Sequence, residues 1–385
     1  MACKTVYVGV NDRKIDLFEG MYHVPNGVAY NSYVIIDEKT AVMDTVDAAF
    51  TDEWIKNIKK ALGSRQPDYL VVLHMEPDHS ASIEAFFNAF PTAKIVGNMR
   101  TFIMIGQYFE ALTQTKISDR CVTVADGGVL DLGGRKLNFV FTPMVHWPEV
   151  MMAYDDCEKA LYSADGFGKF GALDADEPWD DEARRYYIGI VGKYGMQVQA
   201  ALKKAAGLDI QLIRPLHGPV LSGEAMAHAL ELYDKWSSYT PEVDGVMIAF
   251  SSVYGHTREA AHLLKAELDK LGVTNVIYDL ARSDMAECVA QAYKYSKLAL
   301  ASTTYNTEVF PVMREFLDNL VERNFQNRTV GIIENGTWAP MAAKVMLSKL
   351  EKCKNITYAG EPVKILSAVN STTREAIAAL AERLK

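Results

Sequence analysis

The feature that most constrains this chain is the hexapeptide His-Met-Glu-Pro-Asp-His at residues 74–79. It directly follows an apolar run at residues 69–73, Tyr-Leu-Val-Val-Leu, which predicts a buried strand. Two imidazoles and two carboxylates at the end of such a strand each need a partner to offset their loss of hydration. A metal ion, or a pair of them, is that partner, so the hexapeptide predicts a metal-binding loop.

Length and composition set the broad class of protein. The 385 residues are long for one domain and sufficient for two, and 49% hydrophobic and 23% charged residues are ordinary for a globular protein. A formal net charge of -9 without a basic stripe argues against nucleic-acid binding. The five cysteines never form a Cys-x-x-Cys pair, which argues against a zinc ribbon or a rubredoxin-like module.

Two further observations concern membranes and location. The first residues contain no apolar core of a signal peptide, and no later apolar run approaches the length that spans a bilayer. We therefore expect no membrane contact and a cytoplasmic location.

Residues 1–242 predict a layered domain in which strands precede helices. Helical spacing of apolar residues predicts helices over 52–62, 82–90 and 180–206. Runs rich in β-branched and aromatic residues predict strands at 5–8, 33–36, 40–43, 69–73, 122–124, 137–141, 160–162 and 210–213. This order favours an αββα sandwich over a doubly wound sheet.

Residues 243–385 follow a polar, proline-bearing stretch at 237–242 and alternate strands with helices. Strands are predicted at 246–250, 275–280, 298–302, 329–333 and 363–366, and helices at 258–271, 285–292, 312–321, 341–350 and 374–384. Five strands alternating with five helices are typical of a doubly wound parallel sheet. We predict an α/β protein of two domains, 1–242 and 243–385.

The turn after the first strand of this second domain predicts a phosphate site. Residues 251–257, Ser-Ser-Val-Tyr-Gly-His-Thr, place hydroxyls and a glycine where a helix begins, and helix N-termini attract anions. By itself such a turn is more often a helix N-cap without a ligand. The loops after the third and fourth strands add Tyr305 and Trp338 at strand carboxyl ends, where open α/β sheets bind ligands.

These three loops resemble the flavodoxin family, whose phosphate loop reads Ser/Thr-x-Thr-Gly-x-Thr. Ser252, Tyr254, Gly255 and Thr257 match, with tyrosine in place of the middle threonine. The resemblance implies FMN and leaves open whether Tyr305 or Trp338 stacks on the flavin. The implied FMN-binding residues are Ser252, Val253, Tyr254, Gly255, His256, Thr257, Thr304, Tyr305, Asn306, Asn335, Gly336, Thr337 and Trp338.

Three further candidate ligands stand at the ends of apolar strand patterns or just past them in the first domain. They are His146 in His-Trp-Pro-Glu, Asp165 in Asp-Gly-Phe-Gly and His217 in Leu-His-Gly-Pro. With the hexapeptide they make two neighbouring coordination spheres plausible. Mixed nitrogen and oxygen ligation suits iron, manganese or zinc. We favour iron, because the carboxylates make the site hard and a flavin domain has no purpose beside a redox-inert metal.

Together the motifs resemble the flavodiiron protein family over essentially all 385 residues, including the segments at 25–27 and 30–33. The resemblance implies a metallo-β-lactamase-like domain with a non-haem centre of two Fe ions and a flavodoxin-like domain with FMN. Hydrolases of that fold carry His-x-His-x-Asp-His, so Glu76 in place of the second histidine points to the diiron branch. One iron is implied to take His74, Glu76 and His146, the other Asp78, His79 and His217, and Asp165 to bridge them. Whether His79 ligates iron stays open.

The function implied by this resemblance is cytosolic reduction of dioxygen to water, nitric oxide to N2O, or both. Electrons are expected from rubredoxin or a similar donor protein, by way of FMN, in a head-to-tail homodimer or a dimer of such dimers. His23 and Tyr194 are candidate proton donors in the diiron pocket. Two alternatives are a zinc-dependent hydrolase with a regulatory flavodoxin domain and an electron carrier with a vestigial metal site. The residues do not decide which gas is preferred.

Overall fold

The computed structural model describes residues 4–114 and 117–385. The chain divides into two compact units, one formed by Met1–Tyr187 and Met196–Asp234, the other by Ile188–Gly195 and Lys235–Lys385. None of the helices in the described residues combines the length and apolar character that a bilayer span requires.

Two six-stranded sheets form the frame of the first unit. In spatial order the first sheet contains Lys4–Tyr7, Tyr33–Ile36, Thr40–Met43, Tyr69–Val71, Lys94–Gly97 and Cys121–Thr123. The second contains Val129–Asp131, Lys136–Phe141, Met151–Asp155, Ala160–Tyr162, Leu212–Arg214 and Leu221–Ser222. Short pairs outside these sheets join Val10–Asp12 to Val28–Tyr30 and Leu17–Phe18 to Tyr22–His23.

One hydrophobic core lies between the two sheets. Ile35 and Val71 from the first sheet belong to the same buried cluster as Phe139 and Met151 from the second. The helices of this unit are Thr51–Leu62, Pro77–Ser80, Ile83–Ala89, Met99–Tyr108, Glu110–Gln114, Trp179–Tyr186, Gly195–Ala205 and the first part of Gly223–Ser237, with 3-10 turns at Ala48–Phe50 and Ile117–Arg120. Two sheets with helices outside them are the predicted αββα sandwich.

The helical structure of this unit differs from the prediction at residues 99–114 and within 180–206. The helix Met99–Tyr108 was not predicted; the Asn98 side chain begins it by accepting hydrogen bonds from two backbone amides of its first turn. The predicted helix 180–206 is interrupted by a π-helix at Tyr187–Val191 and a 3-10 turn at Gly192–Tyr194. The Tyr239 hydroxyl binds the backbone of this interruption, donating to Gly192 O at 3.0 Å.

The second unit contains the predicted five-position parallel sheet. Its order is Asn275–Asp279, Val243–Phe250, Tyr295–Tyr305 and Gln326–Asn335, with the fifth position shared by Lys354–Tyr358 and Val363–Ile365. Its helices are His256–Lys270, Met285–Lys294, Pro311–Glu322, Ala342–Leu350 and Ser371–Arg383, and the short strand Glu308–Val309 pairs antiparallel with the third strand. The strand Lys354–Tyr358 was not predicted, because its residues are mostly exposed and carry no apolar alternation.

This strand order brings the ends of the first and third strands side by side. The first strand lies between the second and the third, and its residues Val246 to Phe250 pair in parallel with Lys297 to Ala301 of the third. The order in which strands are added to the sheet therefore changes direction at the first strand. Such a switch point opens a crevice at the carboxyl ends of the strands, where ligands bind.

Candidate functional site

The seven predicted metal ligands lie at one end of the strands of the first unit, five of them on loops and two, Asp78 and His79, in the short helix Pro77–Ser80. Residues 74–79 follow the strand Tyr69–Val71, and His217 follows Leu212–Arg214. Asp165 follows Ala160–Tyr162, which runs parallel to Leu212–Arg214. His146 precedes Met151–Asp155, and because that strand is antiparallel to Ala160–Tyr162, its start lies where its neighbour ends.

The ligand atoms form two groups, and within each group they all lie within 4.8 Å of one another. The first group is His74, Glu76, His146 and Asp165, and the second is Asp78, His79 and His217. These are the two sets that the sequence predicted, with Asp165 in the first.

Asp165 faces both groups with different oxygens. Its Oδ2 lies 3.1 Å from His74 Nε2 and 3.2 Å from His146 Nε2. Its Oδ1 lies 3.6 Å from His79 Nε2 and 3.7 Å from His217 Nε2. A carboxylate placed in this way has the position of a bridging ligand.

The other two carboxylates each belong to one group. Glu76 Oε2 lies 3.0 Å from His146 Nε2 and 3.3 Å from His74 Nε2. Asp78 Oδ2 lies 3.2 Å from His79 Nε2 and 3.3 Å from His217 Nε2. All four histidines therefore present the same ring nitrogen, Nε2, to the carboxylates, and His79 is oriented like the others.

Burial and charge act against each other at these groups. Burial by itself would raise the pKa of Asp165, but the charges and hydrogen bonds of His74 and His146 hold that pKa well below its usual value. Burial likewise acts to lower the pKa of His146, yet its hydrogen bonds with Asp165 and Glu76 raise it to about 9. In the metal-free chain, positive charge on His74 and His146 thus balances the Asp165 carboxylate.

The same atoms fit metal cations. In the described part of the chain, both side-chain oxygens of Asp78 and of Asp165 are buried and accept no hydrogen bond from a backbone or hydroxyl donor, so only imidazole nitrogens face them. Buried carboxylates are costly unless a positive charge pairs with them. Imidazole nitrogens and carboxylate oxygens are the donor set that iron, manganese and zinc accept.

Three carboxylates near the ligands were missed in the sequence. Glu149 Oε1 accepts a hydrogen bond from His74 Nδ1 at 2.8 Å, and Asp44 Oδ1 accepts from the backbone N–H of Leu73 at 2.7 Å. Glu19 is an exposed residue, but partial shielding of its carboxyl and the charge of nearby Glu76 raise its pKa to about 8. Of these three carboxylates, only Glu149 could have been suspected from the sequence, because it is the last residue of the segment His-Trp-Pro-Glu.

The two predicted proton donors are placed differently. His23 is exposed on the strand Tyr22–His23, and Tyr194 is partly exposed in the 3-10 turn Gly192–Tyr194. Neither forms a hydrogen bond or ion pair with the seven ligands among the residues that the structure describes. The tyrosines that the structure brings to the ligands are Tyr186 and Tyr30, whose buried rings lie 5.4 and 5.9 Å from that of His217.

A cleft of about 750 Å³ opens at the switch point of the second unit. Of the predicted flavin-binding residues, only Gly255 is not in its lining; Gly255 adopts φ 100° and precedes the helix His256–Lys270. The lining residues are Ser252, Val253, Tyr254, His256, Thr257, Thr303, Thr304, Tyr305, Asn306, Thr307, Asn335, Gly336, Thr337, Trp338, Ala339 and Ser367. Thr303, Thr307, Ala339 and Ser367 were not predicted.

The polar groups of the cleft suit a phosphate and a planar ring. The lining contains hydroxyls and amides but no lysine or arginine, so an anion there depends on N–H and O–H donors at the helix start. Thr304 Oγ1 is engaged, because it accepts from Met341 N at 2.8 Å. Trp338 is 86% exposed and Tyr305 46%, so either ring can be reached by a flat ligand.

A family model described as the ODP family beta lactamase matches residues 28–218. This segment contains all seven predicted metal ligands. Two curated relatives match most of the chain: an uncharacterised protein of Methanocaldococcus jannaschii (31% identity, covering 81% of this chain and 78% of that protein) and a nitric oxide reductase of Moorella thermoacetica (29%, covering 92% and 90%).

Solved structures match the whole chain. The rubredoxin oxygen:oxidoreductase of Desulfovibrio gigas superposes with a TM-score of 0.91 at 25% identity, covering 99% of this chain and 96% of that one. The flavodiiron protein of Giardia intestinalis gives a TM-score of 0.88 at 26% identity, with coverages of 99% and 95%. Both units therefore have counterparts in these proteins.

Proposed function

Because the chain belongs to the flavodiiron protein family, we propose that it is an oxidoreductase that reduces dioxygen to water, nitric oxide to N2O, or both. The observation that carries this proposal is the geometry of Asp165, whose two oxygens face two separate groups of metal-capable side chains. A dinuclear centre needs such a shared ligand. The nitric oxide reductase and the rubredoxin oxygen:oxidoreductase among the similar proteins supply the reaction class.

The residues of the two groups are assigned to two iron ions. His74, Glu76 and His146 would hold one, Asp78, His79 and His217 would hold the other, and Asp165 would be shared between them. The cleft of the second unit holds FMN, with its phosphate at residues 252–257. When bound, the iron pair and FMN supply the redox chemistry, which the side chains of this protein cannot perform alone.

The protein's own residues keep this chemistry in a dry, fixed site. His74, His79, His146 and His217 are at most 7% exposed, so the substrate meets ligands that are already desolvated. The rings of Phe18, Tyr30 and Tyr186 surround His217 at 5.4, 5.9 and 5.4 Å. This aromatic wall limits access of water and holds the His217 ring in place.

Both reductions consume protons. Coupling of two NO molecules to N2O and water takes two electrons and two protons, and reduction of dioxygen to two waters takes four of each. Proton-donor roles for His23 and Tyr194 remain predictions. Glu19 is a further candidate, because the nearby charge of Glu76 and partial shielding raise its pKa to about 8.

Several parts of this proposal go beyond the site itself. We assign residues 1–242 to the diiron domain and 243–385 to the FMN domain, and we expect rubredoxin or a similar protein as electron donor. We further propose a head-to-tail homodimer, or a dimer of such dimers, in the cytoplasm. Sedimentation measured together with activity tests the assembly, and a fully active monomer contradicts it.

Metal analysis and rapid kinetics test the reaction. We expect two iron ions and one FMN per chain, and the anaerobically reduced protein mixed with NO or with O2 should reoxidise its flavin faster than free FMN does. A zinc hydrolase is not favoured, because the similar proteins with assigned activities are oxidoreductases. Two zinc ions, no iron and hydrolysis of an ester or lactam would reverse that judgement.

A further inference from the structure

The buried carboxylate of Glu149 lies directly behind one metal ligand. Its residue is 1% exposed, and its Oε1 accepts hydrogen bonds from His74 Nδ1 at 2.8 Å and from the Met75 backbone N–H at 2.9 Å. One oxygen therefore receives two donors from consecutive residues of the hexapeptide. The ring and the backbone of the metal loop are both tied to Glu149.

Glu149 is itself held from the other side. The Asn98 side chain donates to the backbone carbonyl of Glu149 at 2.6 Å, and the same side chain accepts from Arg100 N and Thr101 N at the start of the helix Met99–Tyr108. Two residues further along the chain, Met151 enters the second sheet. The carboxylate is therefore supported by a helix start and a strand start, and a carboxylate held in this way is preorganised.

The second group has no comparable support. His217 Nδ1 donates to a neutral backbone carbonyl, Ala29 O, at 2.8 Å, and His79 Nδ1 is buried without a hydrogen-bond partner among the described residues. The two groups thus differ in what stands behind their histidines: a carboxylate behind His74, a carbonyl behind His217, and no hydrogen-bonding group behind His79.

This difference has an electronic consequence. A carboxylate that accepts the Nδ1–H bond of a ligating histidine fixes the tautomer with Nε2 free and makes the imidazole a stronger donor. A buried negative charge next to a metal also favours its more highly charged oxidation state. A backbone carbonyl fixes the tautomer and strengthens the imidazole as a ligand to a smaller degree, and it adds no charge.

We propose that Glu149 is a positioning residue that makes the two metal positions inequivalent. By orienting the His74 ring and adding one negative charge, it strengthens metal binding at the position of His74, Glu76 and His146 and lowers the reduction potential of the iron held there. The position of Asp78, His79 and His217 binds metal more weakly and is emptied first. This inference rests on the proposed function only for the identity of the metal as iron.

Three variants of the full-length protein separate charge from shape. Glu149→Gln keeps an acceptor for His74 but removes the charge, Glu149→Asp keeps the charge on a shorter side chain, and Glu149→Ala removes both. Glu158→Gln is the matched control, because Glu158 is a shielded carboxylate of the same unit that pairs with Arg214 at 2.6 Å instead of with a metal ligand.

Two readouts are used, and neither is turnover. Metal affinity is measured by titrating the chelated proteins with Co²⁺, and the iron potentials by following the mixed-valence electron paramagnetic resonance signal during a redox titration. We expect two affinity classes in the unchanged protein and a loss of roughly 10–100-fold in the tighter class in Glu149→Ala. Glu149→Gln should raise one of the two iron potentials, whereas Glu149→Asp and Glu158→Gln should leave both close to the original values.

The results distinguish this inference from the proposed function. Unchanged Co²⁺ affinities and unchanged iron potentials in Glu149→Gln and Glu149→Ala, with two irons still bound, would overturn only the role of Glu149. An unchanged protein that binds zinc and no iron would overturn the proposed function, while the Co²⁺ titration would still test Glu149. If Glu149→Ala does not fold, the Co²⁺ affinities and iron potentials of the isosteric Glu149→Gln decide the question.

Discussion

His79 Nε2 and His217 Nε2 lie 2.9 Å apart, with both rings buried. Two ring nitrogens at this separation are stable only if one carries a proton that it donates to the other, or if a cation takes both lone pairs. Asp78 Oδ2 lies 3.2 and 3.3 Å from the same two nitrogens. Because this carboxylate is anionic and buried, the second group favours a positive charge, which a bound metal ion would provide.

Removal of the metal should make the folded protein less stable as the pH rises above neutral. In the metal-free chain the pKa of His146 is raised to about 9 by its hydrogen bonds with Asp165 and Glu76, which outweigh burial. A raised pKa stabilises the folded state fully below the ordinary value of about 6.5 and loses that stabilisation as pH rises through 9. Urea unfolding of chelated protein should give a free energy that falls from pH 6.5 to 9. The metal-loaded protein is the control, and a rise over this range contradicts the assignment.

Asp165→Ala should empty both metal positions, because Asp165 is the only one of the seven ligands that faces both groups. We expect less than about a tenth of the original iron after gel filtration, since affinity depends on ligand number and charge. Glu76→Ala is the comparison variant and should lose metal mainly from the first group. Full retention of one iron in Asp165→Ala would show that the carboxylate does not bridge.

Glu76→His should change which metal is bound. The variant restores the His-x-His-x-Asp-His pattern and replaces an anionic oxygen ligand by a neutral nitrogen, which favours zinc over iron. Protein produced with equal iron and zinc should show a several-fold higher zinc-to-iron ratio than the unchanged chain. Equal ratios would mean that Glu76 does not select the metal.

Thr257→Ala should weaken FMN binding without loss of iron. Thr257 is buried at the start of the helix His256–Lys270 and lines the cleft. Loss of one hydroxyl donor costs about 1 kcal/mol, or roughly a fivefold rise in the Kd for FMN measured by fluorescence quenching. Thr357→Ala, on the exposed strand Lys354–Tyr358, is the control. An equal loss of iron in Thr257→Ala would contradict two independent sites.

Comparison of Trp338→Ala with Tyr305→Ala should identify the ring that stacks on the flavin. The Tyr305 ring already packs edge-on against Phe310 at 5.4 Å, whereas Trp338 is 86% exposed at the cleft. We therefore expect Trp338→Ala to weaken FMN binding roughly fivefold and to increase the fluorescence of bound flavin, as loss of an aromatic pair costs about 1 kcal/mol. A larger effect in Tyr305→Ala would assign the stacking to that residue.

Much of the fold could be predicted from local patterns. The apolar spacing of Trp54, Ile58 and Leu62 predicted a helix, and that helix is Thr51–Leu62 with those three residues buried. The five alternating strands of the second unit were predicted because buried parallel strands are continuous apolar runs. The strand Lys354–Tyr358 lies exposed at the edge of its sheet, so it has no such run to reveal it.

The sequence by itself determined the chemistry of this protein: which nitrogen and oxygen donors it offers, that they lie near strand ends, and that a hydroxyl-rich turn follows the first strand of its second unit. Only the tertiary structure decided how these groups are supported. Glu149 and His74 are separated by 75 residues, and Ser367 reaches the cleft from beyond the fifth strand. Contacts of this kind have no periodic or local signature, because they depend on how two sheets and their loops pack together. For that reason the ligands could be predicted from the residues, whereas the carboxylate behind one of them could not.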